Sequence, residues 1–410
     1  MRQPHSASVL VADGDTLSAL AIARSLGRRG VRVWVAANRW SALGAYSRYA
    51  RGRIHHAHPG TQPMSFVSAT QRACAAGRAD LLFPTTDVAL RLWLECGQTL
   101  PESSLAGLPA PQAIEAALDK ERLLHLAQSL GIPVPKTYHL ESADHVDRLA
   151  DQLSYPVVLK ARNSRVRVNG AWVARAPSYA GNAVALRRAY SLIRPLDARP
   201  ILQEYVPGHG CGVFALMNHG SLRALFSHRR IRENPPQGGM SVVCESCLPH
   251  PVARVAAIRL LEKLQWHGVA MVEFRIDARD GIPKLMEVNG RFWGSLQLAV
   301  EAGIDFPYLL YRMAQDGDVA TAQGYRLGIR SRWLLGEIDR LRTVLLKPAP
   351  SPGVEWPTRH QALRSFLGSW HNGTRCAVER LRDPVPAVVS AMAYGLDSGQ
   401  LVMRRIWGVR

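Results

Sequence analysis

A chain of 410 residues exceeds what a single hydrophobic core usually serves, so two or three domains are expected. With 47% hydrophobic and 20% charged residues, the composition is that of a folded globular protein and excludes a disordered or collagenous one. The formal charge of +19 raises nucleic acid as a partner, but 45 of the 51 basic residues are arginines dispersed along the chain. No recognition helix, zinc finger or RNA-binding aromatic motif accompanies them, so sequence-specific nucleic-acid binding is set aside.

The opening MRQPHSASVLVADGD lacks a signal peptide's long apolar region. The longest late apolar run, Pro384 to Leu396, lies between Asp383 and Asp397 and falls short of the ~20 residues a membrane span needs. A cytoplasmic protein without a transmembrane segment is expected. Val9 to Ala12 reads as a buried strand, Asp13-Gly14-Asp15 as a turn, and Thr16 as the N-cap of a helix through Leu26 that Gly27 and Gly30 end. Val31 to Ala36 and Leu81 to Phe83 are further strands, giving a doubly wound alpha/beta domain over residues 1–110. A ligand would sit at the carboxyl ends of such strands, near Gly14 or Asp87, although the glycines do not form a dinucleotide fingerprint. The histidines around Ile54 to His58 lack carboxylate partners and read as a loop or strand end, and Cys244-x-x-Cys247 lacks a second pair for zinc.

Pro101 to Pro111 reads as a linker into a second unit. Asp119-Lys120 opens a helix to Leu130, Gly131 with Pro133 and Pro135 stop it, and PVVLKA is a strand ending on Lys160. An ammonium there is costly unless it meets an anion or snorkels from a strand edge. The stretch MVEFRIDARDGIPKLMEVNGRFWGS alternates as a hairpin around Asp280-Gly281. A three-residue loop, Arg279 to Gly281, sets Glu273 opposite Glu287 and puts Val272, Phe274 and Ile276 on one face with Met286 and Val288. Facing carboxylates repel unless solvent or a cation lies between them. With the Asn289 amide oxygen they form the all-oxygen, partly open set that magnesium uses, and Arg291 beside them suits a phosphate or carboxylate.

In this order, Asp119-Lys120, GIPVP, VVLKA, LQEYVPG (Leu202 to Gly208), HRRIRENPPQGG (His228 to Gly239), MVEF and LMEVNGRFWGS resemble the ATP-grasp superfamily, nearest its carbamoyl-phosphate-synthase-like, carboxylate-amine ligase branch, over about residues 1–320. The resemblance implies a two-lobed ATP-grasp domain over 111–320, with lobes of about 111–200 and 201–320, that binds ATP with Mg2+, or Mn2+ in its place. It implies that Lys120 and Lys160 contact the ATP phosphates and that Gln203, Glu204 and Val206 flank the adenine and ribose. By the same resemblance Glu273, Glu287 and Asn289 hold the metal, Arg291 steadies the transferred group with Lys160 as the second catalytic residue, and Arg230, Arg232 and Glu233 lie near the reacting carboxylate. The implied activity is an ATP-dependent ligase that joins a small-molecule carboxylate to an amine through an acyl phosphate, releasing ADP and phosphate. The alternative is a nucleotide-responsive binding protein on the same fold. Where many members have a glycine- and serine-rich lid, this chain has Arg162, Arg165 and Arg167 with only Gly170 and Gly181. His209 and His228 are candidate supporting groups. Residues 321–410 are expected to be a mainly helical accessory region, and residues 322–410, with Trp333, Trp356, Trp370 and Trp407, carry a net +8, leaving a peripheral contact with an anionic surface open, as is a homodimer.

Overall fold

A computed structural model describes residues 7–168, 170–368 and 373–407. The first sheet is parallel: Val9–Val11 lies between Val33–Ala37 and Leu81–Phe83, with Gly52–His55 outermost. Its central strand is wholly buried, as a strand covered on both faces must be. Helix Leu17–Gly27 starts where Thr16 Oγ1 accepts the Ala19 N–H at 3.1 Å, the N-cap expected. The second strand begins at Val33 rather than Val31, because the Val31 N–H bonds back to the Leu26 carbonyl and holds that residue in the helix terminus.

The stretch expected as a linker is partly helical. Short helical turns at Gly97–Thr99 and Glu102–Leu105 precede helix Pro111–Leu118, where Pro111 sits in the first turn and starts the helix rather than marking a loop. Asp119 then caps helix Lys120–Ser129, accepting from the Glu121 and Arg122 N–H groups. An antiparallel sheet follows in the order Thr137–His139, Ile201–Glu204, Val157–Lys160, Ser178–Ala180. Helices Ala143–Ala150 and Ala183–Ile193 give this lobe a core of its own around Leu140, Val146, Leu159, Leu186 and Leu202.

The third sheet has seven strands, in the order Pro283–Asn289, Gly268–Asp277, Gly208–Asn218, Ser221–Asn234, Met240–Ser246, Arg330–Arg332, Arg375–Cys376. Phe214, Phe226, Met271 and Trp293 pack in one cluster with Val9, Val11 and Leu26, so the large sheet and the N-terminal sheet share a core. The C-terminal region carries helices Leu334–Leu346, Arg359–Leu367 and Val385–Trp407, and it also supplies the last two strands of the large sheet. Asp383 anchors it to the N-terminal domain: its carboxylate meets the buried Arg24 at 2.8 Å and accepts from Ser47 and the Arg48 N–H. Trp370 and the side chain of Trp407 lie outside the described residues. Among the described residues no helix is long and apolar enough to cross a membrane.

Candidate active site

The hairpin sets the site. Glu273 pairs with Glu287 across strands Gly268–Asp277 and Pro283–Asn289, the pairing expected from a three-residue loop. A bulge beyond Glu273 then shifts the register, so Phe274 faces Leu285. Leu285 therefore enters the core, and Met286, expected on the core face beside Val288, instead lines the cavity. The connection is also longer than three residues, with strand pairing ending at Asp277 and resuming at Pro283. Gly281 does take the left-handed conformation expected, at φ +73°, and its N–H bonds to the Asp277 carbonyl.

A cavity of about 710 Å³ opens between the small lobe, the large sheet and the N-terminal domain, and Lys120, Lys160, Gln203, Glu204, Val206, Glu273, Glu287, Asn289 and Arg291 all line it. The carboxylates are differently supported. Glu273 Oε2 is 2.8 Å from Arg230, which also binds Glu233 at 2.7 Å. Burial pushes the Glu273 carboxyl above its ordinary range, Arg230 opposes this, and Glu287 adds to it. At Glu287 burial is outweighed by Lys120, the Asn289 hydrogen bond, Arg291 and Lys160, which hold that carboxyl low and ionised. Asn289 donates to Glu287 at 3.1 Å and accepts from Arg291 at 2.9 Å, while Arg291 reaches Asp87 of the N-terminal domain at 3.2 Å. The chain Glu287–Asn289–Arg291–Asp87 thus joins the hairpin to the first helical turn after strand Leu81–Phe83.

Both lysines line the cavity, Lys120 buried and Lys160 partly buried. Lys160 donates to Gln203 Oε1 at 2.8 Å, and Gln203 donates in turn to Thr137 at 3.0 Å. Burial, reinforced by Lys120, pushes the Lys160 ammonium down to about 8. Lys120, likewise lowered by burial, donates to Ser164 at 2.7 Å. The Glu204 carboxylate is taken by Arg279 and Lys284, each at 2.9 Å, so it ties the small lobe to the hairpin end. Val206 offers its carbonyl to Arg275 at 2.6 Å.

Some expected residues go elsewhere. Arg232 turns to Glu337 in the C-terminal region at 2.8 Å, because two register shifts between Arg230 and Glu233 break the alternation and leave Arg230 and Glu233, not Arg232, on the cavity. His209 is exposed and outside the lining, whereas His228 lines it and contacts Ser295 at 2.8 Å. Burial, with Arg230 adding, pushes the His228 imidazole down to about 3, so it is neutral. Arg162 is held by Asp119 and Glu121, and Arg167 lies over Trp172, leaving Arg165 and Arg175 as the lid-region arginines on the cavity. That region is a hairpin, Arg165–Val168 with Ala171–Ala174, and the Trp172 N–H bonds to the Gly60 carbonyl of the N-terminal domain. His55 ends a strand, as expected, and His56 is buried beside it. Sequence reasoning missed Ser164, Arg175, Met286 and Trp333; Trp333 comes from the C-terminal region, where no motif flags it.

The carboxylate pair can be tested against a hard cation. Among the described residues, Glu273 and Glu287 each have one oxygen without a hydrogen-bond partner, and the Asn289 oxygen keeps a second lone pair beside Arg291. All-oxygen donors of this kind fit magnesium that keeps waters and phosphate oxygens in its other positions.

Comparison with known proteins agrees with this architecture. Residues 198–336, spanning most of the large sheet, match the family model described as ATP-grasp in the biosynthetic pathway with Ter operon. The chain has the ATP-grasp fold. Biotin carboxylase from Campylobacter jejuni, solved as a beta-gamma-ATP complex, is similar at TM-score 0.63 and 17% identity, over 79% of this chain and 74% of that one. The biotin carboxylase domain of Hydrogenobacter thermophilus 2-oxoglutarate carboxylase, solved with MgADP, ADP and bicarbonate, is similar at TM-score 0.61 and 16% identity, over 79% and 73%. The L-amino acid ligase from Bacillus licheniformis is similar at TM-score 0.56 and 17% identity, over 76% and 75%. No curated protein matches the chain.

Proposed function

We propose that this ATP-grasp protein is an ADP-forming ligase: it transfers the γ-phosphoryl group of ATP to a small-molecule carboxylate and joins the resulting acyl phosphate to an amine. The observation that carries this reading is the facing pair Glu273 and Glu287 in one cavity with the buried Lys120 and the partly buried Lys160. Anionic ligands for a cation and buried cations for phosphates are what a nucleotide triphosphate with its metal requires.

In this reading Lys120 and Lys160 neutralise the phosphates, and Lys160 is aimed by Gln203, which is itself fixed by Thr137. Glu273, Glu287 and Asn289 would hold magnesium, whose chemistry is to spread the charge of the phosphate oxygens. Arg230 is occupied by Glu233 and Glu273, so it positions a metal-binding carboxylate rather than gripping substrate. Arg291 spends three of its donor hydrogens on Asp87, Phe292 and Asn289, leaving two for the transferred phosphoryl group. The carboxylate oxygen attacks phosphorus, ADP leaves, the amine attacks the acyl carbon, and phosphate departs. The chain supplies position and charge, and no protein nucleophile is needed.

ADP release with ATP and magnesium, measured against amino acids, short peptides, sugar acids and bicarbonate, tests this. The expected result is stimulation by one substrate class, reduced about 100-fold or more in Glu287→Gln. Turnover insensitive to that change would refute the site assignment. Tight ATP binding that no carboxylate converts to turnover would favour the nucleotide-responsive binding protein.

A further inference from the structure

The helix that presents Lys120 to the cavity carries a second group of ligating side chains on another face. Glu121 and His125 lie four residues apart on helix Lys120–Ser129, so they share one face. His139 ends strand Thr137–His139 opposite them, and one ligand atom from each of the three lies within 4.8 Å of the others. Among the described residues no other trio of His, Cys, Asp or Glu side chains meets in this way.

One of these separations is that of two ligands on an ion rather than of a hydrogen bond. His139 Nδ1 and Glu121 Oε1 stand 3.6 Å apart, too far for a hydrogen bond. Two donors at ~2.0–2.1 Å from one tetrahedral ion are separated by about 3.4 Å. The rings of His125 and His139 are nearly parallel, at 8°, with centroids 5.7 Å apart. Glu121 is already oriented from behind: Arg162 holds its Oε2 at 3.1 Å and is itself held by Asp119, the cap of the same helix. Its Oε1 is left to bind through one oxygen, with a charged outer partner of the kind that fixes ligating carboxylates. Arg199, 3.8 Å from that oxygen, has a half-exposed side chain that can withdraw into solvent.

We infer that Glu121, His125 and His139 form a metal site, separate from the carboxylate pair, for a divalent transition-metal ion of the zinc class. Two imidazoles and one carboxylate select a borderline ion over magnesium or calcium, which prefer oxygen throughout. His125 is exposed, so water can complete the coordination. A bound ion ties helix Lys120–Ser129 to the strand containing Thr137, and Thr137 anchors the Gln203 that holds Lys160. The site thereby braces the two elements that set both cavity lysines. Its effect on nucleotide affinity rests on the function proposed above; the ion site itself does not.

The test uses the full-length protein, freed of metal with a chelator and titrated with Zn2+ in competition with a chromophoric chelator. Wild type is expected to bind one equivalent at least ten times more tightly than His125→Ala or His139→Ala. His58→Ala serves as a control and is expected to match wild type. Zn2+ is also expected to raise the melting temperature of wild type but not of the two site variants, whose metal-free melting temperatures report whether they fold. Equal zinc affinity and stoichiometry in wild type and the His125→Ala/His139→Ala double variant, or no competition by wild type, would overturn the site. ATP affinity with and without bound Zn2+ then reads the bracing effect: an unchanged affinity removes the bracing while leaving the ion site, and loss of ATP binding altogether counts against the proposed function instead.

Discussion

Lys160 is a cation at the end of an otherwise apolar strand, and its burial beside Lys120 lowers its affinity for a proton. With its pKa pushed down to about 8, it passes from mostly charged to mostly neutral as pH rises through that value. A triphosphate placed against it stabilises the charged form and raises the pKa again. Nucleotide binding between pH 8 and 9 should therefore take up protons, and affinity should fall as pH rises through this window. Calorimetry in two buffers of different ionisation enthalpy measures the uptake. Lys160→Met should abolish it and weaken ATP binding roughly 10- to 100-fold, the range for losing a charged hydrogen-bond donor. Wild-type binding at pH 8.5 without proton uptake would mean that Lys160 does not face phosphate. Lys160, Glu273 and Glu287 stood out in the sequence because a charge within an apolar or alternating strand demands a partner, whereas Lys120 stood out only through the resemblance. The partners themselves did not: Gln203, Ser164 and Arg230 come from strands and loops whose distance along the chain carries no signal.

The hairpin is the element on which the site depends, and its turn is pinned by Asp277. That carboxylate is buried between Arg279 and Lys284, which also reach Glu204 on the small lobe. Its hydrogen bonds to Arg279, opposed by burial and reinforced by Lys284, hold it well below the usual carboxylate range. A depressed folded-state pKa contributes stability above the unfolded value of about 4, and that contribution is lost as pH falls below it. Asp277→Asn should thus lower unfolding free energy by about 1–3 kcal/mol at pH 7 in urea titrations, and the gap to wild type should narrow below pH 4. A gap independent of pH would assign the loss to packing instead. Alternation located this hairpin, and the expected Glu273–Glu287 pairing holds although the loop is longer than the three residues that predict it, because the bulge offsets the difference. Alternation could not reveal the bulge that exchanges Met286 for Leu285, because a one-residue slip depends on how the sheet twists against its neighbours.

Across the whole molecule, the C-terminal region is part of the body through Arg24 and Asp383, whose side chains are 2% and 1% exposed. Arg24 also donates to the carbonyls of Ala377 and Val378. Removing the carboxylate leaves a buried guanidinium unpaired, so Asp383→Ala should cost about 3–5 kcal/mol and expose the C-terminal helix to limited proteolysis. Unchanged stability and an unchanged cleavage pattern would show that the region is held by its strands in the large sheet instead. The sequence by itself determined the order of the units, the parallel N-terminal sheet, the facing carboxylates and the resemblance to ATP-grasp proteins, because strand alternation, capping residues and motif order are properties of neighbours along the chain. The tertiary structure alone decided that Arg232 faces Glu337 rather than the cavity, that Trp333 completes the cavity wall, and that Glu121, His125 and His139 meet. These depend on register shifts and on contacts between distant segments, which are selected by packing of the finished core rather than by any local pattern.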